Sequence, residues 1–254
     1  MLDNDKDAVV QFLLRMGDNN LVLSHRLSEW CGHAPALEED IALANTALDC
    51  LGQAQLWLEL AGVTQGCGQS ADDLAFFRDS SEFRNVLLVE QPNGDYAETL
   101  VRQFLFDAWH LPMMNALKAS SLKAVSDIAE KATPEITYHL ERSTDLMIRL
   151  GDGNEESHTR MQNALNRLWP YATELLISDE IDNVMAESLI APQLTDIKKQ
   201  WSVTIEQTLQ QATLVCPPTV HAQQGGKRGV HTENLGFILA QMQYLQRSYP
   251  GSRW

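Results

Sequence analysis

The chain has 254 residues, of which 44% are hydrophobic, and its formal net charge is −15. This length and composition support a sizeable core in one large domain or two small ones. The acidity disfavours nucleic acid and anionic lipid as partners. No apolar stretch reaches the roughly 20 residues of a membrane span, and the acidic first residues are unlike a signal peptide. We therefore expect a cytoplasmic globular protein without nucleic-acid or membrane partners.

Almost every long segment has helical spacing of its apolar residues, which predicts an all-α protein. A first helix is expected over about residues 6–30, with a possible break at 17–20 and an end near Gly32. A second is expected over about 37–60, closed by Gly62. In the second helix two apolar stripes lie on opposite faces, so we expect both faces to be buried. Their members are Ile41, Ala44, Leu48, Leu51, Gln55 and Leu58 on one face and Leu43, Ala47, Cys50, Ala54, Trp57 and Ala61 on the other.

The next elements are a short helix at about 72–77 and two more long helices. The third long helix is expected over 95–120 with a kink at Pro112, and the fourth over 122–150 with a disturbance at Pro134. Two hairpins of long helices joined by a long crossover are typical of a ferritin-like four-helix bundle. Additional C-terminal helices are expected at 155–176, 179–213 and 232–247. We predict a single domain over residues 1–254, with the bundle in about 6–150 and a helical extension in about 155–254.

The cysteines are far apart and form no Cys-x-x-Cys pair, which argues against a zinc site or a redox dithiol. We expect reduced thiols, with Cys31 and Cys50 buried in helices. The remaining cysteines are Cys67 and Cys216.

Bundles of this class can hold two metal ions with carboxylates and Glu-x-x-His pairs. The equivalent stretches here read Cys50-Leu51-Gly52-Gln53 and Ile136-Thr137-Tyr138-His139. Glu29 is the candidate from the first helix, and Asp107 and His139 lie on inner stripes of the third and fourth. Three ligands remain where about six are usual. Two interpretations stay open: a hydrogen-bonded polar cluster, or a reduced metal site that also uses His25.

Two further motifs carry weaker signals. The sequence Glu155-Glu156-Ser157-His158 opens a helix, where acidic side chains favour the helix dipole, so a helix start is preferred over a ligand pair. The run Gly225-Gly226-Lys227-Arg228-Gly229 could cradle an anion before a helix. It lacks the strand and spacing of a phosphate-binding loop, and a flexible or partner-bound turn is the preferred interpretation.

The stretches 37–45, 49–54, 229–243 and 249–251 carry a resemblance that extends over essentially the whole chain. The sequence resembles the C subunits of bacterial 1,2-phenylacetyl-CoA epoxidases. These are non-catalytic, ferritin-like components of a multicomponent monooxygenase. The resemblance implies a fold with a degenerate di-iron site, no catalytic residues, and no metal or cofactor bound by this chain.

The same resemblance extends to the catalytic A subunit of such an assembly, which has the same bundle and a working di-iron site. Its motif of Ser-Glu followed by Asp-Glu-x-x-His falls on Ser28-Glu29 and on residues 49–53. This implies that Glu29 is retained and that Cys50 and Gln53 replace a Glu and a His. Asp107 and His139 fall on ligand-bearing positions, and Ile136 replaces a Glu.

The implied partners are the A subunit, in a heterodimer that dimerises again, a small B subunit and a reductase subunit. The assembly uses di-iron, flavin, iron–sulfur and NADPH to epoxidise phenylacetyl-CoA with O₂ in phenylacetate degradation. Two alternatives remain. One is a metal-dependent oxygenase with a reduced site of Glu29, Asp107 and His139. The other is an acyl-CoA-binding regulatory module in which Lys227 and Arg228 attract phosphate.

Overall fold

The computed structural model describes residues 3–218 and 221–252. Within these ranges all regular structure is helical and no strand occurs, so the all-α prediction is confirmed. In chain order the helices are α1 (Asp3–Ser28), α2 (Leu37–Gln65), α3 (Ala71–Phe76), α4 (Tyr96–Leu117), α5 (Lys123–Gly151), α6 (Glu155–Ala172), α7 (Glu180–Glu187), α8 (Leu194–Gln211), α9 (Glu233–Met242) and α10 (Tyr244–Ser248). Short 3₁₀ turns occur at Ser80–Glu82, Thr173–Leu176 and Gly226–Arg228.

These helices belong to two compact units. The first contains the described residues up to 92 together with 224–252, and the second contains the described residues of 93–223. In the first unit α1 packs against α2, and in the second α4 packs against α5, α6 and α8. Each unit therefore contains one of the two long-helix hairpins of the ferritin-like class. No helix among the described residues is long and apolar enough to cross a membrane.

Helix α1 is continuous through residues 17–20, so the predicted break is wrong. Gly17 allows close packing there, because a Cβ atom would lie 2.7 Å from Cδ2 of Leu58 on α2 and the leucine side chain would have to shift. The next residue, Asp18, is fully buried and forms a bidentate ion pair with Arg78. The polar run thus anchors a distant segment to α1, and it leaves the helical hydrogen bonds intact.

Helix α2 is buried on one face only. The stripe that includes Cys50 and Trp57 is buried as predicted. The other stripe is mostly exposed, so the expectation of burial on both faces is wrong. Its exposed large apolar side chains are Ile41, Leu48 and Leu51, and Leu37 at the helix start joins them. Apolar periodicity reports that a face is suited to burial, but not that the same chain covers it.

The ends of α2 show how local contacts move a predicted boundary. The helix runs past Gly62 to Gln65 and ends at Gly66, whose φ of 75° is the left-handed conformation favoured by glycine. Gly62 therefore lies inside the helix. Only glycine fits at this position, because the backbone carbonyl of Gln69 occupies the place where a Cβ atom would lie. Cys31 lies outside α1 and is exposed, so its predicted burial is wrong.

In the second unit, α4 and α5 continue past Pro112 and Pro134. The helix predicted over 179–213 is two helices, α7 and α8, separated by residues 188–193. Trp201 on α8 ties this helix to α4, because its Nε1 donates to the carbonyl of Leu105 at 3.1 Å.

The C-terminal segment 224–252 belongs to the first unit. Gln243 Nε2 donates to the carbonyls of Ala75 and Arg78, both at 3.0 Å, and Arg247 donates to the carbonyl of Arg78 at 2.8 Å. The predicted helical extension of about 155–254 is therefore divided between the two units. That residues 1–254 form a single domain stays a prediction.

Candidate functional site

The second unit contains a buried polar cluster built around Asp107 on α4. Gln103, one turn earlier on the same helix, donates from Nε2 to Asp107 Oδ1 at 2.7 Å. Ser143 on α5 donates from Oγ to Asp107 Oδ2 at 2.9 Å. Asp107 is fully buried, and a buried carboxyl without such donors would be costly. The helical spacing of Gln103 and the packing of α5 on α4 supply these donors.

The electrostatics of this cluster follow from its dry environment. Burial raises the pKa of Asp107 to about 6, against the opposing effects of the His139 charge and of the hydrogen bonds from Ser143 and Gln103. Burial lowers the pKa of His110 to about 3, and the charge of His139 adds to this effect. Near neutral pH His110 is therefore an uncharged imidazole in an apolar core.

The remaining predicted residues of this half are on α5. His139 and Ile136 are both buried, and Ile136 is fully enclosed. The structure thus brings Asp107 and His139 into electrostatic contact within one core. At Ile136, where the resemblance implies a lost Glu, the side chain has no donor atom for a metal.

Sequence reasoning missed three members of this cluster, namely Gln103, His110 and Ser143. A signal for His110 was present, because Asp107-Ala108-Trp109-His110 repeats the i, i+3 spacing of a Glu-x-x-His pair. The ring of His110 packs against Phe106 at 4.9 Å and stacks on Trp109 at 5.9 Å between centroids. Its Nε2 atom is buried and has no hydrogen-bond partner within the described part of the chain.

The predicted residues of the first helix hairpin lie in the first unit. Glu29 follows the end of α1, and its side chain is 31% exposed. Its Oε1 and Oε2 atoms accept hydrogen bonds from Arg26 Nη1 at 3.0 and 3.2 Å. Arg26 also donates to the carbonyl of Glu90 at 2.8 Å, so the guanidinium is held in place. Cys50 and Gln53 are buried on α2. Glu29 is therefore a partner of Arg26 at the edge of this unit.

Over residues 3–218 and 221–252, no group of three or more His, Cys, Asp or Glu side chains could hold a metal ion. Metal sites of this class draw carboxylates and imidazoles from four helices. His25, the further candidate ligand of a reduced metal site, lies on α1. Burial lowers its pKa, although the charge of Glu29 opposes this effect.

The two weaker motifs have structural roles. Asn154 caps α6 by accepting from Ser157 N at 2.9 Å, and His158 Nδ1 lies 2.7 Å from the carbonyl of Gly151. The helix-start interpretation of residues 155–158 is confirmed. The glycine-rich run forms the 3₁₀ turn at 226–228, where Gly226 is buried against the backbone of residues 85–87. The glycine-rich turn is therefore packed within the first unit.

Comparison with known proteins assigns the chain to a family. The family of phenylacetic acid catabolic proteins matches residues 1–254. The chain belongs to this family. It is also 47% identical, over 98% of its length and 100% of the relative, to the C subunit of the 1,2-phenylacetyl-CoA epoxidase of Escherichia coli (strain K12). The resemblance seen in the amino-acid sequence is thereby confirmed.

Proposed function

We propose that this chain is a non-catalytic structural subunit of a multicomponent phenylacetyl-CoA epoxidase that acts in aerobic phenylacetate degradation. Its role is to bind and stabilise the di-iron catalytic A subunit, in a heterodimer that dimerises again. The assembly also contains a small B subunit and a flavin and iron–sulfur reductase that uses NADPH. This chain binds none of these cofactors itself.

The observation that carries the proposal is the full-length relationship, at 47% identity, to the C subunit of an epoxidase. Coverage of both proteins is nearly complete, so the relationship concerns the whole chain and not a shared module. Fold alone would not support a function, because one architecture serves many chemistries.

The polar residues add support from chemistry. Asp107 has its two carboxylate oxygens occupied by Gln103 and Ser143, and Glu29 is occupied by Arg26. Ile136 supplies no ligand atom at a third position. These contacts suit a hydrogen-bonded core.

The proposal is tested by co-expression with the A subunit, with and without this chain. The expected result is a stable complex with iron accounted for by the A subunit, and isolated chain with far less than one iron per molecule. A chain that never co-purifies with the A subunit would refute the proposal.

The variant Asp107→Ala separates the proposal from a metal-dependent oxygenase built on Glu29, Asp107 and His139. Iron content of the purified chain should be unchanged by this substitution. About one iron per wild-type chain that is lost in Asp107→Ala would establish the oxygenase instead. Asp145→Ala, at an exposed ion pair with Arg149 on α5, is the matched control.

A further inference from the structure

One face of α2 is apolar and exposed over four helical turns. Leu37, Ile41, Leu48 and Leu51 are 72%, 53%, 65% and 47% exposed. At 100° per residue they fall within an arc of about 80°, and from Leu37 to Leu51 they extend over about 21 Å. We name these four residues the α2 stripe. Single exposed leucines are ordinary, whereas a contiguous apolar face marks an interaction surface.

The α2 stripe has the shape of a site for another helix. Ala44 lies in the same arc between Ile41 and Leu48, and Gly52 lies beside Leu51. A Cβ atom added at Gly52 would meet nothing within 4 Å, so the backbone there faces open space. Small residues among large apolar ones form the grooves that accept the ridges of a partner helix.

Charge decides between two occupants, a second copy of this chain and a different chain. Helix α2 carries five acidic residues and no Lys or Arg. Glu59 lies in the arc of the stripe, and Glu38 and Asp49 lie on its flank. Two copies packed through this face would bring two acidic patches into one interface, because a two-fold interface uses the same patch on both sides. The net charge of −15 adds to this repulsion.

We propose that the α2 stripe is the docking surface for a helix of the catalytic A subunit, one whose apolar face is flanked by Lys and Arg. This inference rests on the proposed function and adds to it the surface used and the chemistry of the partner. Apolar side chains of the stripe give the affinity, and the acidic flank selects a basic partner over a second copy.

The test measures the dissociation constant between purified chain and purified A subunit. Leu48→Glu and Leu51→Glu should each weaken binding by about thirtyfold or more, as expected for central apolar contacts. Val203→Glu is the matched control, because Val203 on α8 is 52% exposed and lies outside the stripe. It should bind as the wild type does. All three side chains are exposed, so thermal unfolding should be nearly unchanged.

A second pair of variants tests the charge. Glu59→Lys should weaken binding several-fold at low salt and less at high salt, since exposed charges are screened. Glu187→Lys, an exposed position on α7, changes the net charge equally and should have no such effect.

The outcomes separate the two proposals. If the wild-type chain does not bind the A subunit, the proposed function fails. If the wild type binds and Leu48→Glu and Leu51→Glu bind equally well, the function stands and the α2 stripe is not the surface. If these substitutions instead convert a dimer of this chain into monomers and leave A-subunit binding unchanged, a second copy is the occupant and the inference is overturned.

Discussion

The Nδ1 atom of His231 lies 2.9 Å from the Oε2 atom of Glu90, although the two residues are 141 positions apart in the sequence. Its Nε2 atom lies 3.0 Å from the carbonyl of Phe83, so both ring nitrogens face acceptors. Burial lowers the pKa of His231, but the hydrogen bond and charge of Glu90, the Phe83 carbonyl and the charge of Asp18 together raise it above its usual value. The geometry and the charge both favour the imidazolium.

The first prediction concerns the pH dependence of stability. Since the folded pKa of His231 is raised, its stabilisation is fully present below the unfolded value of about 6.5 and is lost as pH rises through the folded value. We expect His231→Gln to lower the free energy of unfolding by about 1 to 3 kcal/mol at pH 6, and by less at pH 8.5. Urea unfolding at both pH values measures this.

The control for this prediction is His33→Gln, since His33 lies in an exposed loop. This variant should match the wild type at both pH values. A His231→Gln deficit that grows with pH would contradict the assigned charge state.

The second prediction concerns the buried carboxyl of Asp107. Because its pKa is raised from 3.8 to about 6, the folded state holds a proton that the unfolded state has released. Stability should therefore fall as pH rises from about 4 to 6, by about 3 kcal/mol at most. Asp107→Asn should remove most of this fall and be more stable than the wild type at pH 7. Unfolding titrations between pH 4 and 7 measure the slope.

Asp145→Asn on α5 is the comparison, because Asp145 is exposed. It should keep the wild-type slope. Equal slopes in wild type and Asp107→Asn would show that folding does not raise the pKa of Asp107.

Sequence reasoning placed Asp107 and His139 in a core because each lies among apolar residues at helical spacing. It could not predict that the Glu29 carboxylate pairs with Arg26, which lies one turn earlier. The orientation of the Arg26 guanidinium is fixed by the carbonyl of Glu90, which is distant in the sequence. It also could not tell that α2 has an exposed apolar stripe, since periodicity does not identify the covering partner. Contacts such as His231 with Glu90 leave no local pattern to read.

The third prediction compares two glycines on α2. Gly62→Ala should destabilise the fold by about 1 to 3 kcal/mol or more, because its Cβ would meet the Gln69 backbone carbonyl, which cannot move aside easily. Gly52→Ala should stabilise it by about 0.5 to 1 kcal/mol, because the new methyl group meets open space and the helix loses less entropy. Thermal unfolding of both variants measures these two changes in stability. Similar effects of the two substitutions would disprove the close approach at Gly62.

The fourth prediction concerns restoring a carboxyl at Ile136. This position is fully buried, so Ile136→Glu should cost about 3 to 5 kcal/mol, as an uncompensated buried charge does. Ile136→Val should cost only about 0.5 to 1.5 kcal/mol. Elemental analysis of the Glu variant should show no gain of iron. Iron uptake with retained stability would mean that the core still accepts a metal centre.

The return of residues 224–252 to the first unit sets an order for folding during synthesis. The Glu90 carboxylate can accept its hydrogen bond from Thr232 N and contact the His231 ring only after some 141 further residues have been made. Their synthesis takes about 7 to 30 s at typical elongation rates. Residues 93–223, by contrast, are contiguous and are complete before the first unit is. The middle of the chain can therefore mature on the ribosome while the N-terminal helices await their closing segment.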